Sequence, residues 1–165
     1  MKTLILVRHG KSSWVQHELA DFDRPLLPRG EQDARLIGGF LHDNDLIPDL
    51  IRSSPAIRAQ ATAGLLAEAL GYPPAGIDTV PAIYEAAVGD LLEVLRTTRH
   101  SDTLLMVGHN PGFSALLDLL TGAAREDLPT CGTAVIDFDV KAWNEVLPGN
   151  GRLRLLQRPK QLRGG

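Results

Sequence analysis

Short apolar runs that stop abruptly at polar or charged residues alternate along this chain with stretches of helical period. A chain patterned this way buries both faces of its strands. That restricts it to an α/β fold, a three-layer sandwich whose mostly parallel sheet has helices on both faces. Leu4-Ile5-Leu6-Val7 is the first such run, and Arg8-His9-Gly10 stands where it stops. A loop, Lys11 to Pro28, follows without a clear period. Gly30 to Asn44 then reads as an amphipathic helix, with Ala34, Ile37, Phe40 and Leu41 at helical spacing.

The alternation continues to the end of the chain. Leu50 to Ser53 is a short strand, and Ser54-Pro55 reads as N-cap and first residue of a helix striped by Ile57, Ala61, Leu65 and Leu66 and ended by Gly71. Ile77–Val80 is a strand, Gly89–Arg99 a helix and Thr103–Val107 the clearest buried strand. Pro111–Leu120 reads as a helix. Ala134–Val140 and Leu153–Gln157 read as two final strands with a turn at Asn150-Gly151, able to add an antiparallel edge. With 165 residues the chain fits one domain, residues 1–157, and a loose polar tail, 158–165.

Composition narrows the function classes. A net charge of −3 argues against general nucleic-acid binding and gives weight to any local gathering of positive groups. No stretch reaches the roughly 18 apolar residues of a membrane span. The apolar run before Arg8 is too short for a signal peptide, so no membrane partner and a cytoplasmic location are expected. The single cysteine, Cys131, fits a reducing compartment and reads as a small buried residue.

In open α/β sheets, ligands bind beyond the carboxyl ends of the strands. Three strands here end in residues suited to one anion. The first delivers Arg8 and His9. The second runs into Ser53-Ser54-Pro55, with Arg58 one helical turn on. The third delivers Gly108-His109-Asn110-Pro111-Gly112 at the start of a helix, whose dipole favours negative charge. Arginine forks grip phosphate oxygens, and a neutral imidazole can attack phosphorus. Each piece also has an ordinary reading: a solvated Arg58, a structural His109, a surface turn at Arg8-His9. One topology bringing all three to one edge favours the site. A metal held by His9 and His109 is disfavoured by the arginines beside them, and no HExxH, GxxxxGK[ST] or GxSxG motif is present.

At these residues the chain resembles the histidine phosphatase superfamily, of phosphoglycerate mutase-like fold, and within it the short SixA-like phosphohistidine phosphatases. The resemblance rests on Leu6-Val7-Arg8-His9-Gly10-Lys11-Ser12, on Arg24-Pro25-Leu26 followed by Gly30, on Ser53-Ser54-Pro55-Ala56-Ile57-Arg58-Ala59-Gln60-Ala61-Thr62, and on Val107-Gly108-His109-Asn110-Pro111. It implies that His9 is the nucleophile and forms a phosphohistidine. It also implies that Arg8, Arg58 and His109 hold the phosphoryl oxygens, and that no metal or organic cofactor takes part.

The resemblance also implies a carboxylate general acid between the two halves of the site, for which Glu85 is the candidate, its ordinary reading being an exposed loop glutamate. Such an acid is needed by a poorly leaving alkoxide and dispensable for imidazole. Lys11 and Ser12 are candidate substrate contacts, and Arg24 a partner of Asp21 or Asp23. Short segments between the motifs predict an open site, which favours a phosphatase over a mutase. The resemblance to the SixA-like group implies phosphohistidine on a protein as the substrate. The alternatives are a small phosphoester hydrolysed with Glu85 as acid, and a phosphate-recognition module without turnover. The sequence gives no signal of oligomeric state.

Overall fold

The computed structural model describes residues 1–14, 19–123 and 127–164. Six strands form one sheet: β1 (Lys2–Arg8), β2 (Leu50–Ser53), β3 (Asp78–Thr79), β4 (Thr103–Gly108), β5 (Thr133–Phe138) and β6 (Arg152–Gln157). Their order is β3-β2-β4-β1-β5-β6. The pairs β3–β2, β2–β4 and β4–β1 are parallel, whereas β5 and β6 join antiparallel at the far edge. The helices are α1 (Pro28–Asp43), α2 (Ile57–Leu70), α3 (Val88–Arg96) and α4 (Gly112–Thr121).

The three layers follow from alternation along the central strands. Leu4 and Leu6 of β1, with Leu104 and Met106 of β4, face a core shared with Leu91 and Leu95 of α3 and with Phe113 and Leu116 of α4. Ile5, Val7, Leu105 and Val107 face the other way, onto Ile37 and Leu41 of α1 and Ala59, Ala63 and Leu66 of α2. All these side chains are buried, each contributing about 1.5–3 kcal/mol for the larger aliphatics.

Several boundaries differ from the sequence reading, each for a local reason. Helix α1 begins at Pro28, because proline suits a first helical turn, whose N–H groups lack intrahelical partners. Ser54 does not cap α2. That helix starts at Ile57, and Ser54 Oγ accepts the Ala56 N–H at 3.2 Å instead. The buried face of α2 is also rotated from the Ile57 stripe. Ala59, Ala63 and Ala67 are buried while Ile57 is 42 % exposed, because small residues let α2 lie close against α1. Strand β3 shrinks to two residues, and α3 ends at Arg96. The expected turn at Asn150-Gly151 falls earlier, at Pro148-Gly149, after a 3-10 turn over Trp143–Glu145.

Residues 158–164, whose composition suggests a loose tail, are tied down. Pro159–Gln161 form a 3-10 turn, and Arg163 Nε donates at 3.0 Å to Asp33, a carboxylate buried in α1. A buried carboxylate needs a cation, and this tail supplies it.

Candidate active site

Register brings the three strand ends together. Arg8 lies beside Gly108 across β1–β4, and Ser53 beside Val107 across β2–β4. Two bonds extend the ladder past the strands: His9 N–H to the Gly108 carbonyl at 2.9 Å and Ser54 N–H to the Val107 carbonyl at 3.0 Å. His9, Ser54 and His109 therefore leave the sheet side by side.

The turn after His9 depends on a close approach that only glycine permits. A Cβ on Gly10 would lie 2.8 Å from the Gly30 carbonyl oxygen, and one on Gly30 would overlap the Lys11 backbone. The glycine of Arg8-His9-Gly10 and the glycine after Arg24-Pro25-Leu26 thus touch each other. Two motifs twenty residues apart in sequence form one packing feature.

Hydrogen-bond logic fixes both imidazole tautomers. Arg58 Nε–H donates to His9 Nε2 at 3.3 Å, so the His9 proton is on Nδ1, which donates to the Gly10 carbonyl at 2.7 Å. Arg58 Nη2 meets His109 Nδ1 at 3.3 Å and has only hydrogens to give. His109 Nε2–H therefore donates to Ser54 Oγ at 2.7 Å. The two rings lie 5.1 Å apart.

Both rings are held neutral. Burial pushes His9 down to about 3, helped by His109, Arg58 and Arg8 and opposed by the Gly10 hydrogen bond. Burial and the Arg58 charge push His109 down to about 4. Burial also disfavours the charged form of Arg8, partly offset by Asp127. Its Nη1 donates to the Leu128 carbonyl at 2.9 Å, while its buried Nε has no hydrogen-bond partner.

These groups line one cavity of about 830 Å³, together with Lys11, Ser12, Trp14, Asp21, Arg24, Tyr84 and Glu85. The structure thus gathers Arg8, His9, Lys11, Ser12, Arg58, Glu85 and His109 at one place. Their surroundings differ. Lys11 and Glu85 are exposed, and Glu85 adopts a left-handed φ of 52°, a conformation that a side chain rarely takes outside special sites. Ser12 is buried, and its Oγ accepts from Arg24 Nη1 at 2.9 Å, so it supports the loop. Arg24 pairs with Asp21, and its guanidinium lies 3.4 Å above the Trp14 ring. Cys131 is buried and its thiol is pushed up to about 12 by desolvation, which makes it inert. His42 and His100 are exposed, and His17 lies outside the described residues.

Sequence reasoning missed two members. Asp21 Oδ2 accepts from Arg58 Nη2 at 3.0 Å and from Tyr84 Oη at 2.7 Å. The Tyr84 ring stands edge-on to His109 with centroids 5.5 Å apart. Asp21 was visible only as a partner for Arg24, because the loop that holds it has no period.

The cluster can bind a tetrahedral anion and present a neutral imidazole nitrogen to its central atom. Among the described residues, no group of three His, Cys, Asp or Glu side chains could hold a metal ion, and no helix is long and apolar enough to cross a membrane.

Comparisons with known proteins bear on the family and the fold. An uncharacterized chloroplastic protein of Arabidopsis thaliana is 33% identical over 171 residues, covering 96% of this chain and 78% of the relative. An uncharacterized protein of Mycobacterium tuberculosis is 39% identical over 159 residues, covering 87% and 93%. A solved structure from Agrobacterium tumefaciens, named for the phosphohistidine phosphatase SixA, matches with TM-score 0.81 and 30% identity over 96% of this chain and 98% of its own. The protein histidine phosphatase SixA solved with tungstate shares the fold at TM-score 0.84 and 22% identity, covering 98% and 99%. Residues 4–97 fit the model of the histidine phosphatase superfamily, branch 1. With that match carrying the Arg8-His9-Gly10 and Arg58 segments, and with His109 placed beside them by the fold, the chain belongs to the histidine phosphatase superfamily.

Proposed function

We propose that this chain is a metal-independent phosphatase that forms a phosphohistidine on His9 and takes phosphohistidine on proteins as its substrate. Membership of the superfamily supports phosphatase chemistry. The observation that carries the His9 assignment is its tautomer: the Nδ1 proton is committed to the Gly10 carbonyl, so Nε2 keeps its lone pair. An incoming phosphoryl group that draws the Arg58 Nε–H onto an oxygen frees that lone pair for attack.

His9 Nε2 then bonds to phosphorus as the bond to the leaving nitrogen breaks. The departing imidazole keeps the electron pair and picks up a proton from solvent. Water next attacks the phosphohistidine, releases phosphate and returns His9 neutral. Arg8, Arg58 and His109 neutralise or hydrogen-bond the equatorial oxygens, which is most of what phosphoryl transfer requires. The unpartnered Arg8 Nε is a donor still to be spent. Two arginines beside two histidines repel a metal cation, which supports the metal-independent reading. Lys11 is exposed on the cavity wall, which supports a role in meeting the substrate, and Ser12 acts through the loop in this reading. A cytoplasmic location belongs to this reading and rests on the solitary buried cysteine.

One observation favours a second reading. Glu85 lines the cavity on a left-handed backbone, where a carboxylic acid could protonate an alkoxide leaving group. That would suit a small phosphomonoester.

The deciding experiment measures phosphate release with EDTA present, from a phosphohistidine-bearing carrier protein and from p-nitrophenyl phosphate, with His9→Ala beside the wild type. Faster release from the protein supports the proposal. Preference for the ester moves the assignment to the second reading. Release from neither overturns both and returns the chain to phosphate recognition without turnover.

A further inference from the structure

Arg58 spends nearly all of its donors on the protein. Nε serves His9, Nη2 serves both His109 and Asp21 Oδ2, and Nη1 serves the Asp21 backbone carbonyl at 2.6 Å. One Nη1 hydrogen remains of the five that a guanidinium carries. Asp21 therefore grips the outer edge of the fork at two points, through its carboxylate and its main chain. A planar group fixed along that edge cannot roll, and its Nε edge must face His9.

Asp21 is itself fixed. Arg24 Nε donates to Oδ1 at 3.2 Å with Nη2 at 3.1 Å, and Tyr84 Oη donates to Oδ2 at 2.7 Å. Arg24, only 7 % exposed, is anchored in turn by Ser12 and by the Trp14 ring. Burial works against ionisation of Asp21, yet the hydrogen bonds from Tyr84, Arg58 and Arg24 hold its carboxyl down to about 2, so it is anionic throughout the working range. Tyr84, pushed up to about 12 by burial and by Asp21, stays a donor.

A carboxylate so close to an anion site is unfavourable for binding alone. It repels the phosphoryl group and occupies an arginine donor. Its presence makes sense if orientation matters more than raw affinity, since binding that is equal in ground and transition states does not raise the rate of the chemical step. We propose that Asp21 is a positioning residue for phosphoryl transfer, holding the Arg58 guanidinium with Nε toward His9 at some expense of anion affinity. This rests on the phosphatase reading above.

The test is D21N, which keeps the shape and one acceptor oxygen but loses the charge, with D21A as a second variant. The expected result is a split: kcat falls by about 10- to 100-fold, the size of effect that misplacing a reacting group produces. Meanwhile KM, and the dissociation constant of inorganic phosphate by calorimetry, stay level or tighten. In an R58A background, D21N should cost nothing further, because residues acting as a unit are not additive.

Weaker phosphate binding with kcat unchanged, or a full additional loss on top of R58A, would overturn the proposal. The Arg58 Nε–H resonance gives a readout that needs no turnover. Held against His9 it should be resolved in the wild type and lost in D21N; its survival in D21N overturns the positioning role. If the wild type hydrolyses no phosphoryl compound, the phosphatase reading fails, while phosphate affinity and this resonance still decide what Asp21 does to Arg58.

Discussion

The two ends of the central sheet are made of the same strands and treat charge in opposite ways. At the amino ends charge is paired locally. Lys2 Nζ donates to Asp102 at 2.7 Å and to the Ser101 carbonyl at 3.0 Å. Asp49 accepts from Ser101 Oγ and from the backbone N–H groups of Asp102 and Thr103. At the carboxyl ends two arginines and two neutral imidazoles converge, and Asp21 is the carboxylate that answers Arg58. Strand starts expose N–H groups, which carboxylates satisfy locally. The carboxyl ends instead hold an excess of buried donors, and that excess is stable only because the histidines give up their protons. One end closes the fold, and the other leaves binding capacity unspent.

The sharpest way to break this contrast is to remove the reactive nitrogen. His9→Ala should lower turnover by on the order of 10⁴-fold or more, as loss of a nucleophile does in comparable sites. The protein should stay folded, with its melting temperature close to the wild type. Turnover that survives would mean that the lone pair at Nε2 is not the attacking group. Next in size is Arg58→Ala, expected to lose about 10²- to 10³-fold in kcat/KM, the range for removing one preorganised donor at developing charge. A loss confined to KM would show that Arg58 binds the ground state only.

Glu85→Gln separates the two substrate readings. Hydrolysis of p-nitrophenyl phosphate and other esters should fall by about 10²-fold if Glu85 is a general acid, while phosphohistidine hydrolysis changes little. Equal losses on both substrates would remove the distinction that the leaving group draws.

The pattern of what the sequence revealed follows the same divide between ends. Arg8, His9 and His109 were legible because each stands at the end of an apolar run, and Arg58 because it opens the helix that follows one; strand-end position is a topological property that periodicity reports. The β4 run and the antiparallel edge were legible for the same reason. Asp21 and Tyr84 were not, since they come from connections whose contacts are set by tertiary packing rather than by any repeat. Ser54 looked like a helix cap because serine before proline usually is one. Its hydroxyl serves His109 instead, a contact 55 residues away that no local pattern contains. The α2 stripe misled because alanines bury as well as leucines do when helices approach closely.

Acid should weaken the carboxyl end selectively. His9 and His109 titrate near 3 and 4 in the fold and near 6.5 when unfolded, so between those values the unfolded chain binds more protons. Stability is therefore full above about pH 6.5 and declines as pH falls through the window, by at most about 1.4 kcal/mol per pH unit for each ring. Chemical denaturation from pH 7 to 4 should show this loss, and a His109→Asn variant should show a shallower slope. Ring signals that titrate near 6.5 in the folded protein would mean that burial does not hold the imidazoles neutral.

The smallest effect is expected at the opposite end. Asp49→Ala removes the acceptor for two backbone N–H groups and the Ser101 hydroxyl. Asp49 is exposed, so water replaces much of what is lost, and the change should cost about 1 kcal/mol. For a chain of this size that is a drop of about 2–4 °C in melting temperature. Turnover per folded molecule should not change, because β4 crosses the core in tight packing and its register with β1 and β2 is fixed by buried side chains along its length. A fall in kcat/KM beyond the loss of folded protein would show that the amino-end clasp reaches His109 through β4. The two ends would then be one mechanical unit, with the charge contrast between them a matter of chemistry alone.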